Sequence, residues 1–294
     1  MEVVIKGQNE TSQDFKDVNM SSIVRMAVVL AMIAGQVSAA PGQEKQKANV
    51  LIVTGIDHPA HEWQKTAPAL AGVIKKDSRM QVRVVTDPCF LESQEIEAYD
   101  VIVLHYMNWE RPGPGARARE NLTKFVGGGK GLVLVHFACG AFGDWPGFVD
   151  IAGRVYDPYA RPLDPYGIFR VEITDANHPV TAGMESFETP DELYTCLKGE
   201  TPVHILATAK SKVDGRDYPM AFVLEYGKGR VFHCVLGHDV KAISNPNAAE
   251  LFRRGCAWAA GLKSAAEKKV VMTAGKKTHG EGEHAHEAEI ELLN

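Results

Sequence analysis

The first half of the chain alternates short apolar runs with stretches in which apolar residues recur at helical spacing. The apolar runs are typical of strands buried on both faces of a sheet. They cover residues 49–54, 80–86, 101–105 and 131–136. Between the first two runs, residues 63–74 have helical periodicity. Pro68 suits a first helical turn, so we expect Thr66 to be the N-cap of this helix.

The second half of the chain is patterned for antiparallel strands. Residues 167–174 alternate apolar and polar positions, and residues 203–209 do so more loosely. Residues 219–226 and 230–237 flank Gly227-Lys228-Gly229, which is typical of a hairpin. A last helix is expected over residues 247–260. Because strands that alternate with helices pair in parallel, we predict a doubly wound, mostly parallel, flavodoxin-like α/β domain with an antiparallel extension, over residues 48–263.

Both ends of the chain are expected to lie outside this domain. Residues 1–19 are polar and aperiodic, and we interpret them as a non-native upstream extension before a natural start at Met20. Residues 20–39 have a positive residue, a short apolar core and a small-residue cleavage site, which together are typical of a signal peptide. An uncleaved anchor helix is the alternative. Cleavage predicts an exported, periplasmic or extracellular protein with no membrane partner.

The C-terminal residues 264–294 are charged and rich in His and Glu. Such tracts can bind metal. They lack the apolar stripe that would pack most of the segment against the domain, so we interpret them as a solvated, flexible tail.

Composition and charge argue against several classes of protein, among them nucleic-acid binders and zinc-ribbon proteins. Of the 294 residues, 45% are hydrophobic and 23% are charged, as in globular proteins. The net charge of −5 argues against a nucleic-acid binder, which needs a basic surface. The five cysteines are widely spaced without a C-x-x-C pair, so neither a zinc ribbon nor a thioredoxin motif is present. The sequence leaves self-association into a homo-oligomer open.

Histidines follow several of the predicted strands where they end. His61 comes after the first strand, His105 and His136 end the third and fourth, and His238 follows the last hairpin strand. Ligands bind parallel sheets at the carboxyl ends of the strands, so these imidazoles are expected at the edge where a ligand would bind. Each His alone is compatible with an ordinary hydrogen-bonding role. Four at one edge indicate acid/base work or metal ligation.

Other residues near this edge of the sheet are weaker indicators of a particular function than the histidines. Cys139 follows the fourth strand and is a candidate nucleophile. Asp191 and Glu192 are compatible with a cap or with a polar contact to a ligand. Trp63, Trp109 and Trp145 lie in or beside predicted edge loops, where an aromatic ring can stack on a sugar or anchor the core. The chain has no G-x-S-x-G elbow and no His-Glu-x-x-His motif, which leaves a serine hydrolase and a zincin helix unsupported.

Several segments, in order along almost the whole predicted domain, resemble the trehalose-utilisation ThuA-like family. They are His61-Glu62-Trp63 with Thr66 and Pro68, Val135-His136-Phe137-Ala138, Phe142-Gly143-Asp144-Trp145-Pro146, Asn177-His178-Pro179-Val180-Thr181-Ala182-Gly183, Asp191-Glu192-Leu193-Tyr194, and 229–239 continuing to 254–261. The resemblance implies a class I glutamine-amidotransferase-like fold. In amidotransferases the turn after the matching strand presents a Cys nucleophile. Here His136 takes about that place and Cys139 is offset, so the chain departs from the amidotransferase pattern at the nucleophile.

The resemblance also implies carbohydrate metabolism, with a small carbohydrate as the partner. Members of the family are associated with sugar dehydrogenases and with the handling of 3-keto-glycosides. A 3-keto sugar has an acidified C–H beside its carbonyl, and a base can remove that proton if the enolate is stabilised. We therefore expect a lyase, isomerase or hydrolase that acts on an oxidised sugar or glycoside, with or without a divalent, zinc-like metal.

On this hypothesis the candidate site residues have three roles. His61, His136 and His238 serve as base, acid or metal ligands, and Glu192 and Asp239 orient them. Contacts to the substrate are expected from Trp63, His105, Trp145 and Tyr194. Two alternatives remain, an amidotransferase-like hydrolase that uses Cys139 and a non-catalytic sugar-binding protein.

Overall fold

Nine strands form one sheet in the computed structural model, which describes residues 46–55, 60–107 and 112–263. In chain order the strands are β1 (Ala48–Val53), β2 (Met80–Val85), β3 (Val101–Leu104), β4 (Gly131–Val135), β5 (Gly167–Ile173), β6 (Phe187–Asp191), β7 (His204–Lys210), β8 (Asp217–Tyr226) and β9 (Gly229–Cys234). The predictions for residues 1–19, 20–39 and 264–294, and for Trp109, lie outside the described residues.

The sheet is parallel on one side and antiparallel on the other. Across it the strands lie in the order β2-β1-β3-β4-β9-β8-β7-β5-β6. All pairs from β2 to β9 are parallel, and all pairs from β9 to β6 are antiparallel. The order β2-β1-β3-β4 is that of flavodoxin-like doubly wound sheets. The predicted fold class is therefore confirmed, including its antiparallel extension.

The strand β9 joins the two halves of the sheet. Its residues 231–234 pair in parallel with residues 132–135 of β4. On its other side β9 pairs with β8 as the antiparallel hairpin that the Gly-Lys-Gly turn predicts. The parallel register places the end of β9 beside the end of β4, so residues that follow these two strands emerge next to each other.

Helices cover both faces of the parallel half. They are α1 (Trp63–Lys75), α2 (Ala116–Gly127), α3 (Phe148–Ala152), α4 (Val240–Ser244) and α5 (Pro246–Ala259), with short 3-10 helices at Pro88–Glu92, Gln94–Ala98 and His136–Gly140. Successive residues of a strand point to opposite faces. Val50 and Ile52 accordingly pack in the core under α1 and α5, whereas Leu51 and Val53 pack in the core under α2. Burial on both faces explains why β1 is apolar almost throughout.

The structure differs from the sequence prediction at the start of α1. The helix begins at Trp63 with Glu62 as its N-cap, so the prediction of Thr66 as N-cap is wrong. The amide of Thr66 already donates to the carbonyl of Glu62 at 3.0 Å, which places this residue inside the first turn. Pro68 is tolerated further along because the carbonyl it leaves unbonded belongs to the exposed residue Gln64. Within the described ranges, no helix is both long enough and apolar enough to cross a membrane.

Candidate functional site

Four side chains from distant parts of the chain meet at the carboxyl ends of the parallel strands. His61 precedes α1, His136 follows β4, Glu192 follows β6, and His238 lies between β9 and α4. Each offers one ligand atom, and these atoms all lie within 4.8 Å of one another. We refer to these four residues as the His/Glu cluster. The structure thus brings together the three imidazoles that the sequence singled out, although they are widely separated along the chain.

Glu192 lies at the centre of the cluster. Its Oε2 atom is 3.1 Å from Nδ1 of His238, 3.5 Å from Nε2 of His136 and 4.0 Å from Nε2 of His61. The three imidazole centroids are separated by 5.1, 5.1 and 5.4 Å. The His136 side chain is fully buried, whereas Glu192 and His238 keep 14% and 16% of their side-chain surface exposed. The cluster therefore opens to solvent on the side of Glu192 and His238.

The backbone and one hydrogen bond aim His136 into the cluster. The residue has a φ of 50°, a left-handed conformation that is uncommon for any residue but glycine. Its Nδ1 lies 2.8 Å from the carbonyl of Val235. A carbonyl can only accept, so in the neutral ring Nδ1 carries the proton and Nε2 presents its lone pair. Among the described residues, this buried Nε2 makes no hydrogen bond. A fixed tautomer of this kind is typical of a metal-ligating histidine.

Asp191 positions the loop that carries His238. Its carboxylate accepts backbone N–H bonds from Gly237 at 2.7 Å, from His238 at 3.1 Å and from Glu192 at 2.8 Å. Gly237 has a φ of 116°, which only glycine adopts readily. Burial raises the pKa of Asp191, and the charge of His136 and the three N–H groups oppose that rise. The sequence indicated Asp191 and Glu192 as a polar pair but did not separate the residue in the cluster from the one behind it.

Glu192 and His238 change each other's pKa values. Burial by itself would raise the pKa of Glu192, but the imidazoles of His136 and His238 outweigh it and hold that pKa below its usual range. Burial by itself would lower the pKa of His238, but Glu192 outweighs it and raises that pKa. Glu192 is therefore ionised at neutral pH and is the anionic group of the cluster.

Asp239 lies beside the cluster rather than in it. Its Oδ1 caps α4 by accepting from the amide of Ala242 at 2.7 Å, and its Oδ2 accepts from the hydroxyl of Tyr166 at 3.0 Å. The Tyr166 ring in turn lies 5.5 Å from the ring of His238. Asp239 thus fixes the segment that follows His238. Sequence analysis did not single out Tyr166, because nothing in the local pattern indicates that its loop reaches this site.

The four residues predicted to contact substrate have different surroundings. Tyr194 packs edge-on against His136 at 4.8 Å and is buried. His105 is fully buried, 3.1 Å from Thr54 Oγ1 through its Nδ1, and burial lowers its pKa to about 3. Trp63 is half-buried at the start of α1. Trp145 packs on Phe142 at 5.3 Å. Of these four, Tyr194 packs its ring directly against an imidazole of the cluster, that of His136.

The hydrophobic ring of Phe137 packs against the cluster at His61. The imidazole of His61 stacks on Phe137 at 4.5 Å, and His105 lies 4.9 Å from the same ring. Phe137 therefore contacts both the cluster and the buried His105. Cys139, two residues further on, packs in the core, and burial raises the pKa of its thiol to about 12. A nucleophilic cysteine needs a depressed pKa, so the surroundings of Cys139 do not favour that role.

Comparison with known proteins finds similarity to the ThuA family. A family model described as ThuA, trehalose utilisation, matches residues 49–259. A solved ThuA-like protein from Parabacteroides merdae is 25% identical with a TM-score of 0.65, and the match covers 73% of this chain and 90% of that one. A ThuA-like protein from Bacteroides uniformis is 19% identical with a TM-score of 0.59, covering 76% and 95%.

A more distant similarity concerns the fold alone. Part of a β-galactosidase from Bacillus circulans sp. alkalophilus is 14% identical with a TM-score of 0.51, and the match covers 82% of this chain and 35% of that one. The comparison of the sequence with curated proteins found no match.

Proposed function

Since the chain belongs to the ThuA family of trehalose utilisation, we propose that it is a carbohydrate-active enzyme whose His/Glu cluster holds a divalent metal ion. The family assignment confirms the resemblance seen in the sequence. The observation that carries the proposal is the convergence of three imidazoles and one carboxylate, from four separate elements, at the edge of the sheet where α/β proteins bind ligands. We also propose that the mature protein acts on a small carbohydrate outside the cytoplasm, after cleavage of its signal peptide.

The donor set suits a zinc-like ion. Metal–nitrogen and metal–oxygen distances of about 2.0–2.2 Å place neighbouring ligand atoms roughly 3–3.5 Å apart. The ligand atoms of His61, His136 and His238 lie within 4.8 Å of one another, close enough to surround one ion. The buried lone pair of His136 gains a partner only if a cation or a proton occupies the space in front of it. We assign His61, His136 and His238 as the ligands, which leaves an open coordination position, as in catalytic rather than structural sites.

Glu192 is then the group that moves a proton. It is ionised at neutral pH, it reaches the open side of the cluster, and it lies within 4.0 Å of all three ligand nitrogens. A carboxylate in this place can accept the acidified proton next to the carbonyl of a 3-keto sugar. When bound, a divalent ion would polarise the keto oxygen and stabilise the negative charge of the enolate. The protonated Glu192 can then give the proton to the departing glycosidic oxygen, which makes the enzyme a lyase. Alternatively it can give the proton to the former carbonyl carbon while the adjacent hydroxyl passes its own proton to the former keto oxygen, which makes the enzyme an isomerase.

Metal content and turnover of the purified protein test this function together. We expect about one equivalent of divalent metal per chain by elemental analysis, and conversion of 3-keto-glycosides, but not of the parent glycosides, detected by mass spectrometry. The Cys139→Ala variant should convert the same substrates at an unchanged rate, since its thiol is buried and protonated. Abolished turnover in Cys139→Ala would favour the thiol hydrolase. A metal-free protein that binds sugars without converting them would instead be the non-catalytic sugar-binding protein.

The pH dependence of metal binding and of stability should have opposite signs. The pKa of His238 is raised above 6.5 by Glu192, so in the metal-free protein this pair adds stability below about pH 6.5, which is lost as the pH rises through the raised pKa. A metal needs the neutral imidazole, so affinity should rise about tenfold per pH unit over the same range. Melting curves from pH 5.5 to 8, with chelator and with added Zn²⁺, measure both. Parallel pH trends in the two series would contradict His238 as a ligand.

A further inference from the structure

One aromatic residue stands at the open side of the His/Glu cluster. Tyr166 is 44% exposed, and its ring lies 5.5 Å from the ring of His238 at an interplanar angle of 57°. Its hydroxyl donates to Oδ2 of Asp239 at 3.0 Å. The phenol proton is therefore committed to a neighbouring carboxylate. The surface that Tyr166 offers to a ligand is the apolar ring rather than the hydroxyl.

The loop that carries Tyr166, residues 154–166, is tied firmly to the site. Arg161 pairs with Asp164 and, at 2.7 Å, with Asp214. Asp164 accepts from the hydroxyl of Ser211 at 3.0 Å, and its own amide donates to the carbonyl of Leu193 at 2.9 Å. Leu193 is next to Glu192, so the loop and the catalytic carboxylate share one hydrogen-bonded support. A rigid support lowers the entropic cost of presenting a ring to a ligand.

We propose that Tyr166 forms the sugar-stacking wall of this site, with its exposed ring packed on the C–H face of a pyranose whose oxygens point to the His/Glu cluster. The inference rests on the proposed function and adds a residue that sets which ligands bind. Sugars carry apolar C–H faces between their hydroxyl groups, and a fixed aromatic ring buries such a face. The pKa of Tyr166, raised to about 12 by burial and by its bond to Asp239, is consistent with a phenol that keeps its proton and does no acid/base work.

The same loop provides a matched control. Tyr159 is 95% exposed, and its side chain makes no contact with the cluster in the described part of the chain. It has the same chemistry as Tyr166, on the same loop. Replacing Tyr159 by Ala therefore removes an equal aromatic group from solvent and leaves the site intact.

Three variants separate stacking from other roles. Tyr166→Ala should raise KM for a 3-keto-glucoside about tenfold while kcat changes less than threefold, because only substrate binding loses the ring. Tyr166→Phe keeps the ring and should stay within about threefold of wild type in both constants. Tyr159→Ala should match wild type, and all three should keep the full metal content. An unchanged KM in Tyr166→Ala, or an equal loss in Tyr166→Phe, would overturn the proposal while leaving the proposed function standing.

A binding measurement tests whether Tyr166 stacks on a sugar even if no turnover is found. The Kd of methyl α-glucoside, measured by calorimetry or saturation-transfer NMR on the intact chain, needs neither metal nor reaction. A Kd weakened about tenfold in Tyr166→Ala and preserved in Tyr166→Phe would support stacking. Equal Kd values in wild type and Tyr166→Ala, or no binding of this probe to wild type, would count against it. Missing metal and missing turnover with intact stacking would instead refute the proposed function alone.

Discussion

Glu192→Gln should lower turnover at least about a hundredfold while the protein keeps its metal. The substitution preserves shape and removes the negative charge that lies 3.1 Å from His238 and 3.5 Å from His136. An amide cannot accept the substrate proton, so kcat should fall by about 10²–10⁴-fold, the range of general acid/base contributions. The three imidazoles remain, so metal content should stay near one equivalent. Elemental analysis and initial rates on the same preparation give both values.

In His136→Ala, by contrast, metal binding should be lost first, and turnover should fall as a consequence. It removes the buried Nε2 that the Val235 carbonyl orients, so metal affinity should fall by more than the roughly 10–100-fold seen when only a supporting residue is lost. Turnover should then fall with metal occupancy and recover in part at high metal concentration. His204→Ala serves as the control, because this histidine is half-exposed and pairs with Asp175 at 2.9 Å, away from the cluster. Full metal content in His136→Ala, or loss of metal in Glu192→Gln, would reverse the roles assigned here.

A large effect on stability is expected from Asp191→Asn. The carboxylate accepts three backbone N–H bonds, and an amide offers one acceptor oxygen and places an NH₂ group against the remaining donors. Hydrogen bonds to charged groups contribute about 1.5–3 kcal/mol each, so a loss of roughly 2–4 kcal/mol is expected. For a domain of this size that corresponds to a Tm lower by roughly 5–15 °C. Thermal unfolding with chelator present measures it.

The same variant should also weaken metal binding. Asp191 holds the amide of His238 in place, so its loss releases one ligand from the cluster, and we expect an affinity lower by about 10–100-fold. Asp217→Asn is the matched control, because that carboxylate is exposed and pairs only with Lys210 at 3.0 Å in the described contacts. Surface pairs contribute about 0–1 kcal/mol, so its Tm should hardly move. If Asp191→Asn melted like wild type and bound metal normally, Asp191 would not be the positioning residue of this loop.

Much of the fold could be predicted because its signals are local. The third and fourth strands are apolar throughout, and the first is apolar except for Asn49, since both faces of these strands are covered. The hairpin was predictable because Gly227 adopts a φ of 60° in the turn. The strand β6 was not foreseen: Phe187–Asp191 includes Glu188 and Pro190, and it lies at the edge of the sheet. Edge strands tolerate such residues, so their pattern is weak, and pairing with β5 decides their conformation.

The part of the site that could be predicted from the sequence is the set of residues that follow the ends of parallel strands. His61, His136 and His238 were found because ligand sites lie at the carboxyl ends of parallel strands. His105 ends a strand in the same way, yet its ring packs on Phe137 and its Nδ1 lies against Thr54, because neighbouring residues around a strand end can point to opposite faces. For Asp191 and Glu192, too, the sequence does not say which residue faces the site. They are adjacent and chemically alike, and only the position of the residue 237–238 loop makes one a support and the other the centre of the cluster.

By itself, the sequence determined the doubly wound sheet, its antiparallel extension and the three histidines of the site, because hydrophobic periodicity and residue type at strand ends are properties of short segments. Tertiary structure alone decided that Glu192 lies between those histidines, that Asp191 stands behind it, and that Tyr166 reaches the open side. These placements depend on β9 pairing with β4 and on the 154–166 loop binding to residues 193–195. Contacts between segments so far apart in the chain leave no periodic signal in either segment.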